Sequence, residues 1–318
     1  MKDKYRNLCS IEKSIPIFSR DWWLDAVAGE KNWDVVIIEK GGKIQASLPY
    51  VVKRRYGFTL LTTPPLTQTL GPWIRDNNGK YATKMAREKE LLTSLIGALP
   101  KFDHYSQNWH YSRNNWLPFY WEGYKQTTKY TYRLNNLADL DVVWSNFQDN
   151  IRREIRKATD RCHLRIRDDV SVQDFLSLNK LVFKRQGIRL PYSDLLPITI
   201  DTACSLRDSR KIFIAEDADG KCHAAVYIIW DETSAYYLMS GADPELRNSG
   251  ATSFCMWEAI KHAAKVTKSF DFEGSMIEPV ERYFRAFGAK QTPYFSITKT
   301  PSRILEARYC LKRMIERL

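Results

Sequence analysis

With 318 residues, 44% of them hydrophobic and 27% charged, the chain has the length for two packed domains and an ordinary globular composition. No apolar run approaches the roughly eighteen residues of a membrane span, and no apolar stretch follows the opening residues Met1 to Asn7. Neither a transmembrane helix nor a signal peptide is expected, and the expected location is the cytoplasm. A net charge of +12 favours anionic partners such as nucleotide phosphates, tRNA or an acidic membrane surface. The six scattered cysteines include no C-x-x-C pair, which argues against a zinc site and against a disulfide framework, so no metal is expected.

In chain order, Ser19 to Val27 reads as a capped helix with Trp22, Trp23, Ala26 and Val27 on one face. Trp33–Glu39, a Gly41-Gly42 turn and Lys43–Val52 form a hairpin, and Phe58–Thr62 adds a third strand. Between them Lys53, Arg54 and Arg55 read as a solvated hairpin tip. Pro64 to Trp73 is an irregular loop, since two prolines and Gly71 exclude a central strand. It ends in an exposed-looking Trp73, and loops of this kind on a packed scaffold often line binding sites. A helix over Lys80–Leu99 and strands over Phe102–His110 and near Leu117–Tyr120 complete this half.

Tyr124–Leu134 alternates as a strand. From Asp139 the pattern predicts one helix to about Asp160, with Val143, Phe147, Ile151 and Ile155 as its buried stripe. Arg152, Arg153, Arg156 and Lys157 cover much of the remaining surface, either as an anion site or as a solvated basic face. Val172–Gln186 is a helix closed by Gly187, and Leu195–Leu206 is another. Lys211–Glu216, the turn Asp217 to Gly220, Ala224–Trp230 and Ser234–Ser240 form a meander, which a polar loop joins to a helix over Ser249–Lys265. Free N–H groups and the dipole make such a helix start an anion site.

Next comes a short strand, Ser269 to Ser275, in which Asp271 and Glu273 alternate with Phe270 and Phe272 and so share a face. Glu273 is a candidate general base, because a carboxylate in a dry cleft has its pKa raised toward the useful range. The alternative is a structural carboxylate bound to backbone or to Arg282. A helix over Glu278–Phe287 follows, closed by Gly288, and Tyr236, Tyr237, Tyr283 and Arg285 are the other polar groups expected at a cleft. The tail Ser302–Leu318 is a basic amphipathic helix, able to rest on an anionic membrane, pack on a partner or cover the domain. The five histidines lie apart in sequence, and no Ser-His-Asp or Cys-His grouping points to a covalent intermediate.

Three segments carry a family resemblance. The meander delivering Arg247-Asn248-Ser249-Gly250-Ala251-Thr252 to a helix resembles the acyl-coenzyme A core of the GNAT acyltransferases. Asn150 to Ala158 and Lys184 to Tyr192, the latter with its Arg-Gln-Gly-Ile run, are similar to the Fem branch, the peptidoglycan aminoacyltransferases and their acetyltransferase-like relatives. The resemblance implies an α/β fold of mixed sheets in two tandem GNAT-like domains, 1–134 and 135–318. It implies that Arg247, Asn248, Ser249, Gly250, Ala251 and Thr252 hold the pyrophosphate of an acyl-CoA. It further implies that Arg152, Arg156, Lys157, Arg185, Arg285 and Trp73 meet the substrate, and that Glu273, Tyr237 and Tyr283 move protons.

The expected reaction is transfer of an acyl or aminoacyl group, from acyl-CoA or aminoacyl-tRNA, to an amine. That amine would belong to a nucleotide- or lipid-linked cell-envelope sugar or peptidoglycan precursor. Two positions depart from the family pattern: Thr252 stands where GNAT loops carry Gly or Ala, and Phe284 stands where many Fem enzymes carry Lys. Both departures also fit the alternative of an inactive GNAT-fold protein that binds RNA or a membrane surface.

Overall fold

The computed structural model describes residues 1–190, 192–274 and 276–315, without the side chains of 186 and 312–315. The chain forms two compact units, Met1–Lys129 with Pro293–Leu318, and Tyr130–Thr292. The division falls after Lys129 rather than after Leu134, and the C-terminal segment groups with the amino-terminal unit.

The first unit opens with α1 (Lys2–Ile11), which was not anticipated, and α2 (Asp21–Ala28). Tyr5, Leu8 and Cys9 give α1 one buried face, and Arg6 binds Asp25 through both terminal nitrogens at 2.6 and 3.0 Å. The antiparallel meander is β1 (Trp33–Lys40), β2 (Lys43–Arg55) and β3 (Phe58–Thr62). A two-residue strand, β4 (Trp73–Ile74), pairs with Ser47 and Ala46 of β2. That pairing buries Trp73 to 5% exposure and gives its indole N–H to Ser14 Oγ at 2.9 Å, so the exposed-looking tryptophan is a core residue. Then α3 (Tyr81–Gly97) crosses over to β5 (His104–Asn108), which runs parallel to β3. Leu117–Trp121 is not a strand but a short helix, α4. Its aromatic content suggests β structure, yet Pro118 falls in the first turn, where a helix accepts proline.

The second unit receives residues 130–134 of β6 (Lys125–Leu134). The single basic helix expected to Asp160 is two helices, α5 (Leu140–Ser145), capped by Asp139, and α6 (Asp149–Arg156), followed by a π-turn over Lys157–Arg161. The break at Asn146–Gln148 is held by tertiary bonding, the Gln148 amide donating to the Ala286 carbonyl at 2.8 Å. The short strand β7 (Arg165–Arg167) precedes α7 (Val172–Gln186), whose capping box is Ser171 and Asp174, and α8 (Leu195–Ser205). The predicted meander is present as β8 (Arg210–Glu216), β9 (Cys222–Trp230) and β10 (Ala235–Ala242), all antiparallel. The helix α9 (Ala251–Val266) crosses over to β11 (Phe270–Asp271), parallel to β10, and α10 (Glu278–Arg285) follows.

The last strand, β12 (Lys290–Lys299), pairs Ser296–Lys299 with β5 of the first unit's own fold. This pairing is why the tail belongs to that unit. The tail helix α11 (Arg303–Ile315) covers the expected segment, while 316–318 lie outside the described residues, as do Ser275 and Pro191 of the segments singled out in the sequence. From α7 onward the second unit repeats an order found in the first from α1: two helices, a three-strand antiparallel meander, a crossover helix, a parallel strand and a short helix. The fold is mixed α/β.

Candidate active site

In the second unit β10 and β11 separate almost as soon as they meet. They pair only at Ala235 with Phe270 and at Tyr236 with Asp271. Past Phe272 the chain turns off through Glu273 and Gly274, both left-handed at φ 58°. A side chain at Gly274 would clash with the Tyr130 carbonyl oxygen, so this turn requires glycine. β10 carries a bulge between Tyr237 and Met239 against β9, which bends it at the same level. Past Tyr236 and Asp271 the ladder between these two parallel strands is therefore open, and Tyr237 and Glu273 follow just beyond its last pair.

Asp271 is fully buried and structural. It accepts a hydrogen bond from the Thr131 hydroxyl and one from the Glu273 amide at 2.8 Å, and it pairs with Arg133 at 3.8 Å. The strand ends here, so Glu273 does not share a strand face with Asp271 by alternation as expected; the left-handed turn places it instead. Glu273 Oε1 is buried with no hydrogen-bond partner among the described residues. Burial pushes this carboxyl well above its ordinary range, and the neighbouring charge of Asp271 adds to the rise.

Tyr237 and Tyr283 lie in the same cluster. Burial pushes the Tyr237 hydroxyl up to about 12, against a lowering bond from Ser240, and the charge of Glu273 contributes to the rise. Tyr283 is raised by burial too, and its hydroxyl lies 3.3 Å from that of Ser253 in α9. Between them stands Phe284, 4% exposed, with ring centroids 5.7 Å from Tyr237, 5.9 Å from Tyr283 and 5.2 Å from Phe272. The three residues expected to move protons are thus brought together from β10, the turn after β11, and α10. Tyr236, also expected at a cleft, is buried, and its hydroxyl donates to Asp231 at 3.3 Å.

The loop expected to bind an anion precedes α9, which begins at Ala251 rather than at Ser249. Arg247–Ser249 is a single 3-10 turn, and Gly250 is left-handed at φ 79°; no side chain caps the helix. Arg247 and Asn248 are exposed and Thr252 half-buried, which leaves a cation, an amide and a hydroxyl beside the helix start. Ser249 and Ala251 face inward, with the Ser249 hydroxyl donating to the Leu246 carbonyl at 2.8 Å. Gly250 is demanded by packing, because a Cβ there would clash with the Glu154 carbonyl oxygen of α6. An uncapped helix start with an adjacent cation fits a pyrophosphate.

The basic residues divide by partner. Arg152 donates to the Ser145 carbonyl at 2.9 Å and binds Asp149, which ties α5 to α6. Lys157 lies 3.8 Å from Glu154, and Arg285 bonds Glu281 at 2.8 Å. Arg156 and Arg185 are exposed. Trp73 lies in the first unit's core.

Residues 145–285, which contain this whole constellation apart from Thr131 and Arg133, match the family model of the acetyltransferase (GNAT) domain. The second unit carries a GNAT domain. Among solved structures the chain is similar to FemX at 11% identity and a TM-score of 0.67, covering 93% of this chain and 95% of that one. It is also similar to the C-terminal domain (DUF2156) of a candidate lysylphosphatidylglycerol synthetase from Agrobacterium fabrum, at 13% identity, TM-score 0.56 and coverage of 98% and 96%. A protein of unknown function from Bacteroides thetaiotaomicron gives 11% identity, TM-score 0.55 and coverage of 93% and 97%. These likenesses establish a shared, Fem-like fold. No curated protein matches the chain by sequence.

Within the second unit, sequence reasoning missed Thr131, Arg133 and Ser253. The first two were legible in part, since they alternate along Tyr124–Leu134 and so share one strand face.

Proposed function

We propose that the GNAT domain is an N-acyltransferase working at the opening between β10 and β11, with Glu273 as its general base. The observation that carries this reading is the Glu273 carboxyl itself. It sits on a left-handed backbone at the apex of the opening with a buried, unpartnered oxygen and a raised pKa.

An acyl-coenzyme A bound here supplies an activated acyl group. Arg247, Asn248, Thr252 and the first-turn amides of α9 hold its phosphates. Glu273 takes the proton from the attacking amine, and Tyr237 or Tyr283, both protonated at neutral pH, returns one to the leaving sulfur. Phe284, buried here, stands where many Fem enzymes carry Lys, and the loss of that cation favours a thioester donor over an aminoacyl-tRNA.

For the acceptor we infer an amine on a nucleotide- or lipid-linked cell-envelope precursor, with exposed Arg156 and Arg185 available to its phosphates. Support comes by analogy of fold from FemX and from the synthetase domain, whose name places an aminoacyl group on a lipid.

The test is a thermal-shift titration with acetyl-CoA, longer acyl-CoA esters and free CoA. A ligand at about a hundred times its dissociation constant stabilises the native state by about 2.7 kcal/mol. Stabilisation that is lost in Arg247→Ala is the expected result. No shift with any of them, in folded protein, overturns the thioester donor and leaves aminoacyl-tRNA to be tried.

A further inference from the structure

In the first unit the β2–β3 hairpin tip and α11 come together. Tyr56 at the tip is 70% exposed and sits on left-handed backbone at φ 50°, in a turn position that glycine or asparagine would fill at less cost. Its ring lies 5.1 Å from the Arg55 guanidinium and 5.5 Å from that of Arg308 in α11. On α11, Ile304, Arg308 and Leu311 follow at i, i+4 and i+7 and so share a face; Ile304 is 72% and Leu311 57% exposed.

The opposite face is anchored. Leu305 is buried, and the Tyr309 ring lies 5.0 Å from His104. Among the described residues the exposed cations here include Lys53, Arg54, Arg55, Arg303 and Arg308, and an acid beside them, Glu306, is already paired with Lys125 at 3.5 Å.

We propose that this surface docks the protein onto an anionic lipid bilayer. Isolated aliphatic side chains between cations, with a tyrosine at their edge, match the interfacial layer, where apolar groups enter the acyl boundary and guanidinium groups meet lipid phosphates. A protein partner would call for a continuous apolar patch or a groove. RNA would leave Ile304 and Leu311 without a role. The inference is independent of the acyl-transfer reading, because it uses no residue of the GNAT domain.

The experiment is cosedimentation of the full chain with vesicles of phosphatidylcholine alone and of an equal mixture with phosphatidylglycerol. Partition onto the anionic vesicles only, weakened by salt, is expected. Arg54→Ala, Arg55→Ala and Arg308→Ala combined should lower it about a hundredfold. Ile304→Asp with Leu311→Asp should abolish it while the thermal transition is unchanged. Absence of binding to the anionic vesicles, binding that survives both variants, or binding to heparin and RNA without vesicle binding would each overturn the proposal.

Discussion

The Glu273 amide donates to the Asp271 carboxylate at 2.8 Å across the end of β11. This bond closes the strand after two residues and turns the next carboxyl away from the ladder. Two acidic residues that sequence alternation would treat as equivalent differ in their bonding: Asp271 Oδ1 accepts from Thr131 and from this amide and Asp271 Oδ2 lies 3.8 Å from Arg133, while Glu273 Oε1 has no hydrogen-bond partner among the described residues.

The raised pKa of Glu273 fixes the sign of a pH effect. Above the ordinary carboxyl value of 4.5 the unfolded chain has released this proton while the native state still holds it. Stability contributed by the neutral carboxyl is therefore full below that value and is lost as pH rises toward the raised one. Glu273→Gln should flatten this fall and leave the variant more stable than wild type near neutrality, while lowering turnover by about 10²–10⁴-fold. Urea titrations at several pH values check the first part; equal slopes in the two proteins would contradict it.

Asp271 should behave in the opposite way. Asp271→Ala removes a fully buried carboxylate and leaves the Arg133 guanidinium beside an apolar gap. A loss of about 3–5 kcal/mol is expected, as for other broken buried pairs. Chemical denaturation measures it, and a loss under about 1 kcal/mol would mean that water replaces the carboxylate.

Gly250 separates packing from ligand binding. The sequence pattern offers it as a phosphate-loop glycine, but the contact that requires it is the Glu154 carbonyl, and its backbone is left-handed. Gly250→Ala should therefore destabilise the ligand-free protein by about 2 kcal/mol or more. Arg247→Ala, at an exposed position, should leave ligand-free stability within about 0.5 kcal/mol. Thermal melts without ligand decide this before any titration is interpreted.

What the sequence makes legible follows from local physics. The meander expected from Lys211 to Ser240 was visible because the Asp217–Gly220 turn separates apolar runs, the end of α7 was visible through Gly187, and the start of α9 was visible within two residues through its polar loop. What escaped depends on distant partners. The helix expected through Asn146 breaks because Ala286, far along the chain, accepts the Gln148 amide. Trp73 is buried because β2 pairs with it and Ser14 takes its indole N–H. The convergence of Tyr237 and Tyr283 around Phe284, with Glu273 acting on Tyr237, needs three separate elements in register, which no spacing in the chain encodes.

Two arginines of the basic segment, four residues apart, should give opposite results. Arg152 binds the Ser145 carbonyl and Asp149, so its guanidinium fixes the angle between α5 and α6. Arg152→Ala would free the last carbonyls of α5 and should cost about 1–2 kcal/mol of stability, with little change in affinity for an anionic ligand. Arg156 is exposed, and among the described residues no hydrogen bond of this kind is made by its guanidinium. Arg156→Ala should leave stability within about 0.5 kcal/mol and weaken binding of a phosphate-bearing acceptor, because only the ligand would use its fork. Denaturation and ligand titration on the two single variants check both halves. Equal destabilisation by the two substitutions would make the whole basic segment structural and remove Arg156 from the acceptor site.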